Sequence, residues 1–249
     1  MQRLYKTPQF RIPNSAIRIQ KTVSFQKPKP AFPNQIPMLR IQAFTFNPIQ
    51  ENTYVLYDET KQCVVVDPGC YGRSEQDTLR NFIMDNQLEV KALLNTHGHV
   101  DHVLGNAFVK RTFKVPLHIH PLDEATLRAV PAYAQAYGFP LYEPAEPDGF
   151  FNEGEVIAFG NTELKVLFLP GHAPGHVGFL SEKDTILVSG DVLFRRSIGR
   201  TDLPGGDFDT LVRSIREKVF TLDNDVKVYP GHGPITTVGE EKNGNPFLG

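Results

Sequence analysis

The sequence of 249 residues contains only two cysteines, Cys63 and Cys70, and little that marks a specialised class of protein. Two cysteines on either side of an Asp-Pro-Gly turn provide neither a disulfide framework nor a metal-binding pair. No window approaches the roughly 18 consecutive apolar residues that a membrane span needs. The formal net charge of -2 gives no electrostatic basis for holding nucleic acid by its phosphates. These absences favour a globular protein of a reducing compartment, with neither nucleic acid nor membrane as partner.

Residues 1–37 contain no aspartate or glutamate, although basic residues and prolines recur along them. Prolines interrupt helices, and the segment lacks both the apolar run of a secretory signal and the amphipathic helix of a transit peptide. We therefore predict a basic, flexible N-terminal tail over residues 1–37 and a cytoplasmic location. Residues 38–249 contain no linker rich in Gly, Ser or Pro, so we predict one domain there.

Short runs of β-branched and aromatic residues between turn residues predict strands along most of residues 38–249. The first three strands form an antiparallel meander. A helix follows at residues 74–87 with Ser74 as N-cap, and a later helix at residues 207–219 has Asp207 as cap. Residues 121 to about 153 are polar and aromatic, with no element assigned. Two halves, each of strands followed by a helix, predict two packed sheets with helices outside, a four-layer α/β sandwich.

The heptapeptide Thr-His-Gly-His-Val-Asp-His, residues 96–102, holds three of the eight histidines at a predicted junction of strand and helix. Imidazole and carboxylate bind zinc, iron or manganese, and an irregular turn can direct neighbouring side chains at two ions. Three further motifs end apolar runs elsewhere, and they contain His172, Asp191 and His232. If all these runs are strands that end at one edge of the sheets, the motifs converge.

These motifs predict a binuclear metal centre with a shared water. One ion takes His97, His99 and His172, the other takes Asp101, His102 and His232, and Asp191 bridges them. Two close cations lower the pKa of the shared water, so that a bridging hydroxide can attack a carbonyl while a metal stabilises the oxyanion. Asp101 and Asp191 are thus the predicted catalytic residues. Zinc is our first choice for both divalent ions, with iron or manganese as alternatives.

Four other residues near these motifs allow two interpretations each. His118 and His120 share one face of a short strand without a nearby acidic residue, which favours structural roles over metal binding. His176 either orients a ligand or contacts substrate. Asp67 either accepts a hydrogen bond from a metal-bound imidazole or serves as a turn residue.

With these motifs in view, the sequence resembles the metallo-beta-lactamase superfamily from about residue 38 onward. The His-x-His-x-Asp-His signature of that superfamily is matched by His97, His99, Asp101 and His102. The resemblance implies an αββα sandwich. Residues 190–211 and 229–234 resemble the glyoxalase II branch, the hydroxyacylglutathione hydrolases. That branch implies hydrolysis of a small-molecule thioester, S-lactoylglutathione, to D-lactate and glutathione.

The C-terminus departs from this branch, because only 17 residues follow His232. Full-length glyoxalase II enzymes append a helical domain whose basic residues hold the glutathione carboxylates, and we expect that domain to be absent. Arg200 and Ser197, together with His176, are therefore our candidates for substrate binding. Arg195 and Arg196 lie beside them, and guanidinium pairs well with carboxylate. The alternative is that these arginines are surface charges beside a loop.

Two other functions fit the same motifs. Persulfide dioxygenases resemble this sequence in many of them but use a single iron and molecular oxygen. A non-catalytic metal-binding module of the same fold is the second alternative, although all seven ligands are present. Lactamases of the superfamily usually act outside the cytoplasm, and the sequence shows no export signal. The oligomeric state stays open.

Overall fold

The computed structural model describes residues 39–249, so the predicted tail lies outside the described residues. The first sheet contains β1 (Arg40–Phe46), β2 (Glu51–Tyr57), β3 (Gln62–Val66), β4 (Glu89–Leu94), β5 (Leu117–Ile119) and β6 (Gly149–Phe150), in that order. The chain continues through β7 (Val156–Phe159), β8 (Thr162–Phe168), β9 (Val177–Ser181), β10 (Ile186–Gly190), β11 (Leu193–Phe194), β12 (Ser197–Ile198), β13 (Lys227–Pro230) and β14 (Thr236–Thr237). The second sheet has the order β14-β13-β10-β9-β8-β7, and β11 pairs with β12.

Helices cover the outer face of each sheet. The helices are α1 (Arg73–Asp85), α2 (Val100–Val103), α3 (Asn106–Phe113), α4 (Glu124–Tyr133), α5 (Phe208–Ser214) and α6 (Val238–Gly244). A 3-10 turn at Pro121–Asp123 precedes α4, and a π-helical segment at Ile215–Val219 continues α5. Within residues 39–249, none of these helices has the length and apolarity needed to cross a bilayer.

Side-chain alternation along the strands separates the interior into three apolar layers. On β3, Cys63 and Val65 pack against the helices of the first sheet, whereas Val64 and Val66 face the second sheet. On β10, Leu187 packs against the helices on the other side. Because successive strand residues point to opposite faces, a run of apolar residues can fill two layers at once. The result is the predicted αββα sandwich.

Strand pairing agrees with the meander expected at the start of the domain. β1 pairs with β2, and β2 with β3, both antiparallel. β3, β4, β5 and β6 then run parallel, with helices in the connections. In the second sheet β7 to β10 are antiparallel neighbours, and β13 joins β10 in parallel.

The start of α1 differs from the sequence expectation. Gly72 occupies the cap position and Ser74 lies inside the first turn, so the predicted Ser74 cap is wrong. The Glu75 carboxylate accepts hydrogen bonds from the backbone N–H groups of Tyr71 and Asn47, at 2.9 and 2.8 Å. The acidic side chain of the first turn therefore secures this end of the helix.

The later helix begins as predicted. The Asp207 carboxylate accepts a hydrogen bond from Thr210 N at 2.8 Å, which satisfies one of the free donors of the first turn. The sequence gives no sign that this helix changes to π-helical geometry at Ile215–Val219.

Candidate metal centre

The seven predicted ligands lie where strands of both sheets end. β4 leads into His97, His99 and α2, which carries Asp101 and His102. His172 lies in the loop between β8 and β9, Asp191 directly follows β10, and His232 follows β13 after one glycine. The structure brings all seven side chains together, as the sequence predicts. Their role as metal ligands remains a prediction.

The first group consists of His97, His99 and His172, whose ligand atoms all lie within 4.8 Å of one another. His99 Nδ1 and His172 Nε2 are only 2.9 Å apart. Burial, followed by the neighbouring His102, holds the pKa of His97 well below its usual value. Burial and the neighbouring His172 lower the pKa of His99 to about 4. The His97 and His99 imidazoles are therefore neutral at pH 7, the form that can offer a lone pair to a metal.

The second group consists of Asp101, His102 and His232, again within 4.8 Å. His232 Nε2 lies 3.0 Å from Asp101 Oδ2, and His102 Nε2 lies 3.5 Å from the same oxygen. Burial alone would lower the pKa of His102, but the carboxylates of Asp191 and Asp101 outweigh it and raise that pKa well above its usual value. Burial likewise opposes the increase at His232, where the hydrogen bond to Asp101 raises the pKa.

Asp191 contacts both groups. Its Oδ1 lies 3.4 Å from His102 Nε2, and its Oδ2 lies 3.6 Å from His172 Nε2 and 3.5 Å from His232 Nε2. The backbone at Gly231 passes so close that a Cβ there would collide with Asp191 Oδ1 and His102 Cε1. Glycine at this position therefore permits the carboxylate to sit between the groups, where the sequence places a bridging ligand.

An oxygen atom orients each of four histidine rings. The Nδ1 contacts are His97 with Thr96 Oγ1 at 3.0 Å, His102 with Asp67 Oδ2 at 3.1 Å, His172 with the Arg200 carbonyl at 2.7 Å and His232 with the Gln50 carbonyl at 3.1 Å. An acceptor at Nδ1 favours the tautomer with its proton there and leaves the Nε2 lone pair directed at the centre. Of the two interpretations of Asp67, the structure therefore supports the imidazole partner.

Three buried atoms at the centre test whether the residues suit a metal. Within residues 39–249, His97 Nε2, His102 Nε2 and Asp191 Oδ1 have no hydrogen-bond partner. Buried polar atoms left unpaired are costly, so three among the predicted ligands need an explanation. When Nδ1 of His102 carries the proton, its Nε2 and the Asp191 carboxylate are two acceptors facing each other, and a cation between them satisfies both. The donor set therefore fits divalent cations.

His176 has a different environment from the one a substrate contact requires. Its side chain is fully buried, its Nε2 accepts a hydrogen bond from Asp191 N at 3.0 Å, and its ring stacks on His97 at 4.8 Å between centroids. Of the two interpretations of His176, the geometry favours orientation of the ligands. We therefore do not keep His176 among the substrate-binding candidates.

The other substrate-binding candidates lie on and after the β11–β12 hairpin. Nε and Nη2 of the exposed Arg200 side chain each donate to the Asp202 carboxylate at 2.6 Å. The Ser197 hydroxyl contacts the Ile198 carbonyl at 3.4 Å. Arg195 and Arg196 line a cavity of about 330 Å³ beside α6. Substrate contact by Arg200 and Ser197 therefore stays a prediction, and the structure adds that the Arg200 carbonyl orients His172.

His118 and His120 lie on β5 and just after it, outside the two ligand groups. His120 stacks on Phe168 at 4.6 Å between centroids and accepts a hydrogen bond from Leu122 N at 3.3 Å. Burial lowers the pKa of both rings. The contacts of His120 agree with the structural role expected of it, whereas His118 Nδ1 is buried without a hydrogen-bond partner within residues 39–249, and its role stays a prediction.

The sequence did not reveal Asp123, which lies between the two ligand-bearing loops. Its buried carboxylate accepts hydrogen bonds from the backbone N–H groups of Gly98 and Gly175. The residue falls in the stretch for which no element was assigned, and it carries no motif of its own. The 3-10 turn between β5 and α4 brings it to the centre.

Comparison with known proteins places this geometry in a family. Residues 46–232 match the metallo-beta-lactamase superfamily. The hydroxyacylglutathione hydrolase GloC of Haemophilus influenzae is 38% identical over 212 residues, which are 84% of this chain and 98% of that protein.

Two crystal structures that are 36% identical in sequence share the fold. BLEG-1 B3 metallo-beta-lactamase has a TM-score of 0.77, with 84% of this chain and 99% of BLEG-1 covered. TTHA1623 in a di-iron-bound form has a TM-score of 0.75, with 83% of this chain and all of that chain covered. Two sheets between helices, histidines and aspartates gathered at the strand ends, and a match over residues 46–232 together show that the chain belongs to the metallo-beta-lactamase superfamily.

Proposed function

We propose that the chain is a binuclear metal-dependent hydrolase that cleaves thioesters, with S-lactoylglutathione as substrate and D-lactate and glutathione as products. The observation that supports it most is the position of Asp191, whose two carboxylate oxygens reach ligand atoms of both groups. Six side chains arranged around a shared carboxylate suit two cations rather than one. Zinc remains our first choice, with iron or manganese as alternatives.

The two cations would supply a Lewis acid that activates water and stabilises the oxyanion of the transition state. The chain itself holds the ligand rings through the oxygens of Thr96, Asp67, Arg200 and Gln50. Burial would raise the pKa of Asp101, but His102 and the hydrogen bond from His232 outweigh it and lower that pKa. The Asp101 carboxylate therefore stays ionised at pH 7 and can accept a hydrogen bond that orients an attacking water.

Substrate would approach where the ligand histidines are partly exposed, at His99 of the first group and His232 of the second. A quarter of the His232 side chain is exposed, compared with none of His102 and 3% of His172. Phe194 of the β11–β12 hairpin lies edge-on to His232 at 6.2 Å between centroids. This apolar edge beside the exposed ligand offers a surface for an acyl group, and Arg200 and Ser197 follow in the same segment.

The thioester assignment is supported by the likeness to hydroxyacylglutathione hydrolase GloC, nearly all of which is covered. The likeness to BLEG-1, at 36% identity, makes hydrolysis of a β-lactam the second candidate reaction. Both reactions begin with attack on a carbonyl, so the metal centre suits either. A cytoplasmic location belongs to the same proposal, and cell fractionation tests it.

Metal content and substrate turnover measured on one preparation test the proposal. We expect two metals per chain and release of thiol from S-lactoylglutathione without oxygen consumption. Asp101→Ala should lose one metal and turnover. Faster opening of a β-lactam than of the thioester would favour the second candidate. One iron per chain with oxygen uptake on glutathione persulfide would instead indicate a dioxygenase, and metal without any turnover would indicate a binding module.

A further inference from the structure

Asp123 joins two loops that are far apart in sequence and that carry the first ligand group. Its Oδ2 accepts from Gly98 N, between His97 and His99. Its Oδ1 accepts from Gly175 N at 3.0 Å, and Gly175 belongs to the same loop as His172. One carboxylate thus bonds the backbone of both loops.

The contact is close and fully enclosed. Asp123 has no exposed surface, and a Cβ at Gly175 would collide with its backbone nitrogen. The Thr126 hydroxyl donates a third hydrogen bond to Oδ1 at 3.3 Å, from the first turn of α4. Asp123 N bonds the His120 carbonyl at 2.9 Å, which anchors the residue to the end of β5. The carboxylate is therefore held in place from its own side and accepts from both loops at once.

We propose that Asp123 is a positioning residue that holds the His97–His99 turn and the His172 loop in register, and so sets the metal affinity of the three-histidine group. The inference rests on the proposed metal centre. It is selective, because the second group is assembled differently. Asp101 and His102 lie on α2, and His232 follows β13. Within residues 39–249, no hydrogen bond of Asp123 reaches either of these segments.

Asp123→Asn is the sharpest variant because it keeps the shape of the side chain. An amide has one acceptor oxygen, so its NH₂ group must face one of the two backbone N–H donors. The backbone N–H of that loop then loses its acceptor and faces the amide NH₂ group, a second donor that repels it. Substitution of residues that orient metal ligands typically weakens metal binding by about 10- to 100-fold. We expect a loss in that range at the three-histidine group.

The two groups can be measured separately in two backgrounds. His232→Ala weakens the second group and leaves the first as the tighter site, and His99→Ala does the reverse. Zinc affinity is measured by competition with a chromophoric chelator, and the cobalt(II) spectrum reports the geometry of the remaining ion. Asp123→Asn should weaken zinc binding in the His232→Ala background by about 10- to 100-fold and change it by less than about twofold in the His99→Ala background. Equal effects in both backgrounds, or none in either, would overturn the inference.

Asp58→Asn is the matched control. Asp58 is also a buried carboxylate that joins two turns, since it accepts from Thr60 N at 2.9 Å and from Asn161 N at 2.6 Å. The Asp58→Asn variant should lower thermal stability as Asp123→Asn does. Its zinc affinity should stay unchanged in both the His232→Ala and the His99→Ala background. If Asp58→Asn weakens zinc binding as much as Asp123→Asn, the effect is general destabilisation and the inference is wrong.

Thr126 provides a milder pair if Asp123→Asn does not fold. Thr126→Val removes the hydroxyl that holds the carboxylate, and Thr126→Ser keeps it. Thr126→Val should weaken only the three-histidine group, by about twofold to fivefold relative to Thr126→Ser. Equal affinities for this pair would count against the inference. Failure of the wild-type chain to bind two metals would instead refute the proposed function, so the two failures are distinguishable.

Discussion

The two ligand groups of the candidate metal centre differ in charge. In the first group, His97 and His172 are buried, and lowered pKa values keep the His97 and His99 rings neutral. In the second group, the raised pKa values of His102 and His232 occur beside carboxylates, and His232 is partly exposed. The His97 and His99 rings therefore offer neutral nitrogens at pH 7, whereas both histidines of the second group hold a proton more tightly than a free imidazole does.

The difference between the two groups follows from the segments that carry their side chains. Two loops from different sheets enclose the first group, and Asp123 joins their backbones. The second group combines a short helix, α2, with the end of β13, where Gly231 leaves room for Asp191. Asp191 is the element that the two groups share. Variants that affect one group or both can therefore test the comparison.

Asp191→Ala should have the largest effect, because it removes the shared carboxylate. We expect metal content to fall from two ions to one or fewer, and kcat for thioester hydrolysis to fall about a thousandfold or more. Loss of several kcal/mol of transition-state stabilisation corresponds to that factor. Metal analysis and thiol release measure both, with Asp58→Asn as the control for fold. A variant that keeps two ions and wild-type turnover would show that Asp191 does not couple the groups.

The ligands could be predicted from the sequence because each one lies in a short motif after a strand. A strand end fixes position along the sheet edge, so local patterns at residues 96–102 and near His172, Asp191 and His232 were enough to predict convergence. The two predicted groups each form a cluster, but His97 and His102 also cluster with Asp67 across them, so the assignment of ligands to two separate ions stays a prediction. The sequence motif that marks each predicted ligand is therefore local, and the ligands converge if the strands before them end at the same edge of the sheets.

The supporting contacts could not be predicted in the same way. Asp123 acts through backbone N–H groups of glycines that are 25 and 52 residues away in sequence. The Arg200 and Gln50 contacts use main-chain carbonyls, which every residue has, so no residue type marks them. α4 was missed for a related reason, since its Pro131 interrupts the helical pattern while burial of Leu127 and Val130 compensates.

Asp67→Asn should have an intermediate effect, larger in the second group, where Asp67 contacts His102 directly, than in the first, where it acts on His97 through Thr96. The Asp67 carboxylate accepts from His102 Nδ1, Thr96 N and Thr96 Oγ1, and an amide can replace only part of this. We expect zinc affinity of the second group to fall about 10- to 100-fold. Chelator competition in the His232→Ala and His99→Ala backgrounds measures it. An equal loss in the first group would mean that Asp67 supports the whole turn through Thr96 rather than His102 alone.

Acidification should release metal from the second group before the first. Protons compete with a metal for any histidine below the pKa of that histidine, and His102 and His232 have raised pKa values in the metal-free chain. His99 has a pKa of about 4, so its lone pair remains available down to that pH. Between pH 7 and 5 the second group should lose up to about tenfold in affinity per pH unit for each proton displaced. Metal retained after dialysis at each pH, with cobalt(II) spectra, measures the order, and simultaneous release would contradict the difference between the groups.

Arg200→Ala should have the smallest effect and separates the two functions of this residue. His172 Nδ1 donates to the Arg200 carbonyl, which alanine retains, so zinc affinity and kcat should stay within about twofold of wild type. The guanidinium is 60% exposed and paired with Asp202, a kind of contact that contributes about 1 kcal/mol or less. If it also attracts substrate carboxylates, KM should rise by about threefold for S-lactoylglutathione and stay constant for an uncharged thioester. The contact that orients His172 uses the main-chain carbonyl of Arg200. A large fall in kcat would therefore mean that the Arg200 side chain, and not only the carbonyl, supports His172.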